Sequence, residues 1–271
     1  AIDKGGDALL DNLGTGFVKV VSTRYAFTAL KDDGSLYTWG YDGRGAEGPS
    51  DSVETSTSGV YKSTGGSGTG NYINIQGNKW SFAALKRDGS VVCWGLEGFG
   101  PGEEPTVDNG KRLFSNDQTY ALLKEDNSVI TWGNSGNGGG QTITAGGSAI
   151  THIYSNEYAY VALRENGSVT VWGDSRYGGD SSSVDNQLTS DVVKIYASQK
   201  AFVALKNDGS VVVWGDESFG GKIHNPPDII TNVPGTGLPV NGSIIEASFV
   251  PHTDSLWSAS IENPTLINWS A

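Results

Sequence analysis

Residues 200–215 read KAFVALKNDGSVVVWG, and the same pattern returns four more times without gaps. The other copies are YAFTALKDDGSLYTWG from Tyr25, WSFAALKRDGSVVCWG from Trp80, QTYALLKEDNSVITWG from Gln118 and YAYVALRENGSVTVWG from Tyr158. A weaker sixth copy, DSLWSASIENPTLINWS from Asp254, keeps aromatics at Trp257 and Trp269, while Pro264 and Ser270 replace the two glycines. Self-similarity at a period of ~40 residues marks one supersecondary unit per copy, which buries its apolar faces by stacking on its neighbours.

Each copy reads as a β-hairpin. Asp33-Gly34, Asp88-Gly89, Asp126-Asn127, Asn166-Gly167 and Asp208-Gly209 predict two-residue turns with positive φ. The flanking runs, such as 201–205 and 211–214, are apolar on both faces, as in strands covered on both sides. A further short strand precedes the hairpins at 17–21, 72–75, 150–154, 192–196 and 243–246. No window has capped helical periodicity, so the chain reads as all-β.

Small sheets stacked face to face every ~40 residues define a β-propeller, with a solenoid as the competitor. The run from Gly5-Gly6-Asp7 through Asn12 into Phe17–Val20 parallels Gly178-Gly179-Asp180 through Asn186 into Val192–Ile195. The chain thus starts just beyond the point in the repeat at which it stops, which predicts a ring closed by the N- and C-terminal segments. The expected architecture is a single propeller domain over 1–271 with about six blades, seven being the alternative. Residues 1–16 form the closing segment, and the repeats span approximately 17–71, 72–111, 112–149, 150–190, 191–242 and 243–271.

The pattern xxAL(K/R)xDGSVxxWG resembles the repeats of the regulator of chromosome condensation family, across almost the whole chain. That resemblance implies a propeller, usually of seven blades. Its members have divergent roles, from GTPase exchange factors that dock on chromatin to secreted bacterial β-lactamase inhibitors and modules of bacterial surface proteins. The eukaryotic repeats commonly carry a histidine where this chain has Ala26, Ser81, Thr119, Ala159 and Ala201. The chain also lacks a basic tail, which makes a nuclear exchange factor the weaker branch.

Glycine is abundant, at 39 of 271 residues, but with 37% apolar and 10% aromatic residues the chain can bury a core, and disorder is excluded. Thirty acidic against 18 basic residues give a net charge of −12, the wrong sign for binding phosphate backbones. Neither nucleic acid nor membrane insertion is expected. The single Cys93 excludes an internal disulfide. A start at Ala1 and the absence of methionine suggest a processed product or excised segment.

No catalytic constellation emerges. His152, His224 and His252 fall at different points of the repeat and share no ligand spacing. Gly43-Arg44-Gly45-Ala46-Glu47-Gly48 fits a dinucleotide pattern, but Pro49-Ser50-Asp51 follows it where a helix is required. The chain is therefore expected to be non-enzymatic, without cofactor or metal. Weak Ca²⁺ binding at carboxylates such as Asp42, Glu97, Asp174, Asp216 and Glu217 is a secondary expectation.

Strand parity places the binding candidates. The turn before each hairpin and the loop after each Trp-Gly share one face, and the Asp-Gly turns line the other. Residues constant between repeats, such as Leu30, Leu85, Leu123, Leu163 and Leu205, serve folding. Variable aromatic and cationic residues on the loop face are the hot-spot types: Tyr25, Tyr41, Arg44, Trp80, Phe99, Tyr158, Arg176, Tyr177, Lys200 and Phe219. Arg24, Lys79, Glu97 and Glu217 join them on that face. The competing reading is that these rings merely cover blade edges. The expected function is recognition of a protein or glycan ligand by a secreted or surface-displayed module, alone or as part of a larger chain. The alternatives are an intracellular regulator of a GTPase or inhibitor of an enzyme, and a structural subunit of an extracellular assembly.

Overall fold

The structure is a computed structural model that describes residues 14–41, 43–54, 59–65, 71–144 and 146–223. The chain divides into two units, Ala1–His224 and Asn225–Ala271, and the described residues belong to the first. The closing segment through residue 13, the sixth copy and therefore the total blade count and ring closure lie outside the described residues.

Five antiparallel sheets follow one another along the chain, one per repeat. The first contains β1 (Phe17–Ser22), β2 (Ala26–Lys31), β3 (Leu36–Gly40), β4 (Val53–Glu54) and β5 (Val60–Ser63), in the order β1-β2-β3-β5-β4. The second contains β6 (Tyr72–Gly77), β7 (Ser81–Lys86) and β8 (Val91–Gly95). The third contains β9 (Gly110–Ser115), β10 (Thr119–Lys124), β11 (Val129–Gly133) and β12 (Thr142–Ile143). The fourth contains β13 (Ile150–Ser155), β14 (Ala159–Arg164) and β15 (Val169–Gly173), and the fifth β16 (Val192–Ala197), β17 (Ala201–Lys206) and β18 (Val211–Gly215). These sheets are the blades of a β-propeller.

β9 was not recognisable as a strand in the sequence, because GKRLFS carries three polar side chains, and it begins inside the stretch assigned to the second repeat. Gly110 is its anchor: the Gly110 N–H donates to the Gly89 carbonyl of the preceding hairpin turn at 3.0 Å.

The hairpin loops also differ from the two-residue turns expected. The Gly34 N–H donates to the Lys31 carbonyl and the Lys31 N–H to the Ser35 carbonyl, both at 2.9 Å. That pattern is a type I turn closed by one left-handed residue, a three-residue loop. Asp33 keeps a negative φ because its carboxylate accepts from the Ser35 amide and hydroxyl at 2.8 and 2.6 Å. Only Gly34 (φ 80°) crosses to positive φ, and Asn127 (φ 62°) does so in the third blade. Asp88–Ser90, Asp126–Ser128, Asn166–Ser168 and Asp208–Ser210 repeat the clasp.

The core is divided among the junctions between blades. Ala83, Leu85 and Val91 of one face of the second blade meet Leu113, Tyr120, Leu122 and Trp132 of the third. The opposite face of the second blade, with Tyr72, Ile75, Phe82, Ala84 and Trp94, meets Ala26, Leu30 and Leu36 of the first. The other two junctions repeat the scheme. This accounts for strands apolar on both faces, each worth roughly 1.5–3 kcal/mol per buried large side chain.

An aromatic ring stacks on the tryptophan of its own blade in each of the five described blades: Phe27–Trp39, Phe82–Trp94, Tyr120–Trp132, Tyr160–Trp172 and Phe202–Trp214, at 5.3–5.6 Å. Each ring from the second blade onward also faces the first residue of the middle strand of the preceding blade. The Tyr120 hydroxyl donates to the Ser81 carbonyl at 2.6 Å and lies 3.1 Å from the Ser81 hydroxyl. Tyr160 does the same with Thr119. Where the preceding blade offers Ala26 or Ala159, the ring is Phe82 or Phe202, without a hydroxyl. Burial lifts both tyrosine hydroxyls well above their ordinary range.

The constant residues are buried except at the ends of this series. Leu205 is half-buried and Phe27 is 45% exposed, whereas Phe82, Tyr120, Tyr160 and Phe202 are fully covered. Among the described residues, no blade covers those two end faces.

Candidate loop-face binding site

The turn before each hairpin is built by one polar residue. Asn156 is 1% exposed; its Oδ1 accepts from the Tyr158 and Ala159 amides, both at 2.8 Å. Its Nδ2 donates to the Tyr177 carbonyl at 2.7 Å. One side chain thus shapes the turn and fastens the loop after Trp-Gly to it. Asn78 and Asn116 make the same three bonds, holding Phe99 and Asn137. Ser198 uses its single hydroxyl, accepting from the Ala201 amide at 3.1 Å and donating to the Phe219 carbonyl at 2.7 Å.

The loops themselves are short 3-10 turns in three blades, Ser135–Asn137, Ser175–Tyr177 and Glu217–Phe219. Asn134, Asp174 and Asp216 cap their starts, and Gly138, Gly178 and Gly220 end them in the left-handed region. The carbonyl of the turn residue accepts from the residue after Trp-Gly in every blade, as in Tyr41 N–H to Tyr25 and Asp216 N–H to Lys200. Turns and loops therefore share one face, as strand parity predicts.

All ten candidate residues lie on this face, in two groups, each straddling a blade junction. In the first, Trp80 meets Tyr25 (6.1 Å) and Phe99 (5.6 Å) at a tilt, and Tyr25 also meets Tyr41 at 6.3 Å. Arg44 lies over Tyr25 at 5.5 Å and Arg24 over Trp80 at 5.3 Å. In the second, Tyr158 and Tyr177 are 4.6 Å apart. The Lys200 ammonium sits over Tyr177 at 4.8 Å and Phe219 at 4.5 Å, with Arg176 over Tyr177 at 5.0 Å. Burial and the neighbouring Glu157 raise the Tyr158 hydroxyl above its usual range. The Arg176 guanidinium holds the Asp174 carboxyl below its own. Cations placed over ring faces keep the rings oriented at a cost shared with packing.

The third blade separates the groups and was not singled out in the sequence. Gln118 stands where the others carry Tyr25, Trp80, Tyr158 or Lys200, and Asn134 donates to its side-chain oxygen at 2.8 Å. Asp117 beside it pairs with Lys79 of the second blade at 2.6 Å. Because this interval carries no ring, it shows only where equivalent positions of the blades are compared.

Burial pushes the Cys93 thiol far up, and its sulfur accepts from the Trp132 indole at 3.3 Å. Among the described residues no group of three or more His, Cys, Asp or Glu converges. Of the carboxylates considered for calcium, Asp174 and Asp216 cap loops, Glu217 pairs with Lys222 at 3.0 Å, and Asp42 lies outside the described residues. Residues 43–48 form turns and lead into no helix. No helix among the described residues is long and apolar enough to cross a membrane.

Comparison with solved structures gives the class: the fold is that of a regulator-of-chromosome-condensation (RCC1)-type β-propeller. Prp20p from Saccharomyces cerevisiae, from a study of its binding to Gsp1p and histones, matches with a TM-score of 0.51 at 17% identity, covering 73% of this chain and 58% of that one. Yeast RCC1 (Prp20) in complex with Kap60 matches at 0.51 and 18% identity, over 76% and 57%. The CRINKLY WD40 ectodomain of the Arabidopsis thaliana receptor kinase ACR4 matches at 0.50 and 17%, over 74% and 68%. The chain spans less than three fifths of the length of the two yeast chains. No protein-family model matches the sequence, and no curated protein does.

Proposed function

We propose that this chain is a non-enzymatic binding module, secreted or displayed on a cell surface, whose loop face grips a protein or glycan ligand through the two aromatic–cationic groups. The observation that carries the reading is the convergence of all ten variable candidates into two aromatic–cationic groups, each held to its blade by a buried Asn, Asn78 in the first and Asn156 in the second. Rings held in place lose little entropy on binding, and Trp, Tyr and Arg supply most interface energy. Related propellers are described in complex with proteins or as a receptor ectodomain, which agrees with a scaffold for recognition. The acidic charge and the Gly, Ser, Thr and Asn-rich loops motivate the location.

The test is affinity capture from extracellular protein fractions and a glycan array, with the native chain and a variant carrying Trp80, Phe99, Tyr177 and Phe219 all changed to alanine. The variant is expected to keep its melting profile and lose at least tenfold in affinity for whatever the native chain captures. Unchanged capture refutes the assignment. Accelerated nucleotide release from a small GTPase, or recovery of the protein only from cytosol, refutes the extracellular reading.

A further inference from the structure

The first strand of each blade is the innermost, since it is the strand that touches its counterpart in the next blade, β1 with β6, β6 with β9 and β13 with β16. These five strands, β1, β6, β9, β13 and β16, carry four of the chain's 18 Lys and Arg and none of its 30 acidic residues. In an acidic protein the charge is therefore segregated by sign toward the inner strands.

Three adjacent blades add a second regularity, a nitrogenous side chain with an aromatic ring two residues on: Arg112 with Phe114, His152 with Tyr154, and Lys194 with Tyr196. A register shift in each blade's first strand pair places Arg112, His152 and Lys194 at equivalent positions, opposite Leu123, Leu163 and Leu205. The groups connect across the junctions. The Arg112 guanidinium lies 5.2 Å over Phe114 and donates to the Thr151 carbonyl of the next blade at 3.5 Å. Phe114 meets His152 edge-on at 5.8 Å, and His152 lies 4.4 Å from Tyr154. Lys194 sits 5.1 Å over Tyr196, a residue that is 45% exposed. Arg112 and Lys194 are exposed, and among the described residues neither has an ion-pair partner. Burial first, and then the positive charge of Arg112, lower the basicity of His152.

We propose that the inner strands of the third to fifth blades form a binding arc for an acidic peptide segment of a partner protein, with Arg112 and Lys194 receiving its carboxylates and His152, Tyr154 and Tyr196 packing its backbone. Charge complementarity selects the occupant: two exposed cations, Arg112 and Lys194, with no ion-pair partner among the described residues and interleaved with rings, match a chain of carboxylates with apolar stems. This arc is separate from the loop-face groups and stands whether or not they bind a ligand.

Fluorescence anisotropy on the full chain tests it, with a labelled twelve-residue Glu-rich peptide at low salt. A Gln-matched peptide serves as control and inorganic triphosphate as competitor. The Glu peptide is expected to bind with an affinity that falls as salt rises, and the Gln peptide at least tenfold more weakly. The exposed pair Arg112→Ala and Lys194→Ala is expected to lose at least tenfold for the Glu peptide while melting as the native chain does. Lys222→Ala, outside the arc, is expected to bind as the native chain. Absence of Glu-peptide binding, or equal binding by the double variant, overturns the proposal. Binding of triphosphate at the same residues without the peptide reassigns the arc to phosphate and overturns it too.

Discussion

Asn156 is the side chain on which the second aromatic group depends, and replacing it with alanine isolates that dependence. The substitution removes three hydrogen bonds of 2.7–2.8 Å at a site 1% exposed, leaving the Tyr158 and Ala159 amides and the Tyr177 carbonyl without it. At about 1 kcal/mol net for each bond, the loss is about 3 kcal/mol, which lowers Tm by about 6–12 °C in a body of this size. Ser198 shows what a hydroxyl can retain in the equivalent place, one acceptor and one donor bond. Asn156→Ser is therefore expected to lose only about 1 kcal/mol. Urea denaturation at fixed pH gives both values, and amide exchange at Ala159 should accelerate in the alanine variant while that at Phe202 does not. A loss below about 0.5 kcal/mol for Asn156→Ala, or equal losses for alanine and serine, refutes the idea that this staple builds the face.

In the equivalent junctions a tyrosine hydroxyl donates to the facing backbone carbonyl and also meets a side-chain hydroxyl, so Phe202→Tyr keeps the Ala159 carbonyl as acceptor, and adding Ala159→Ser is expected to gain about 1 kcal/mol over Phe202→Tyr alone; a double-mutant cycle by denaturant midpoint measures the coupling. Serine clasps hold the Asp33, Asp88, Asp126 and Asp208 carboxyls below their ordinary range. A folded-state pKa below the unfolded one means that this stabilisation is complete above about pH 4 and is lost as pH falls through the depressed values. Asp88→Asn, copying the natural Asn166, should keep neutral-pH stability and flatten the acid limb of a Tm-versus-pH curve.

Much of the fold was legible because it is written five times. Leu85, Ala84 and Trp94 recur at fixed offsets, and a segment apolar on both faces has to be covered on both faces. The loops were harder. Asp-Gly suggested a two-residue turn because the pair alone tolerates positive φ, but the decisive residue is Ser35, one position later, whose amide and hydroxyl hold Asp33 at negative φ. β9 was missed because Lys111, Arg112 and Ser115 dilute its apolar pattern; an inner strand with one face turned from the core does not need that pattern. The loop-face residues were placed by counting strand directions, which is a matter of parity. Their division into two groups was not legible, since it depends on which blades are neighbours and on Gln118 interrupting the rings.

The match between Ser81 and Tyr120, Thr119 and Tyr160, Ala26 and Phe82, and Ala159 and Phe202 also bears on how such a chain can change by recombination between its near-identical repeats. Loss of the second blade would set Ala26 against Tyr120, and loss of the fourth would set Thr119 against Phe202, each costing one hydroxyl its hydroxyl partner across the junction. Loss of the third would set Ser81 against Tyr160 and keep a hydroxyl on both sides of the junction. The repeats are alike enough to be miscopied, yet their edges carry an order, and the third blade is the one whose excision that order tolerates.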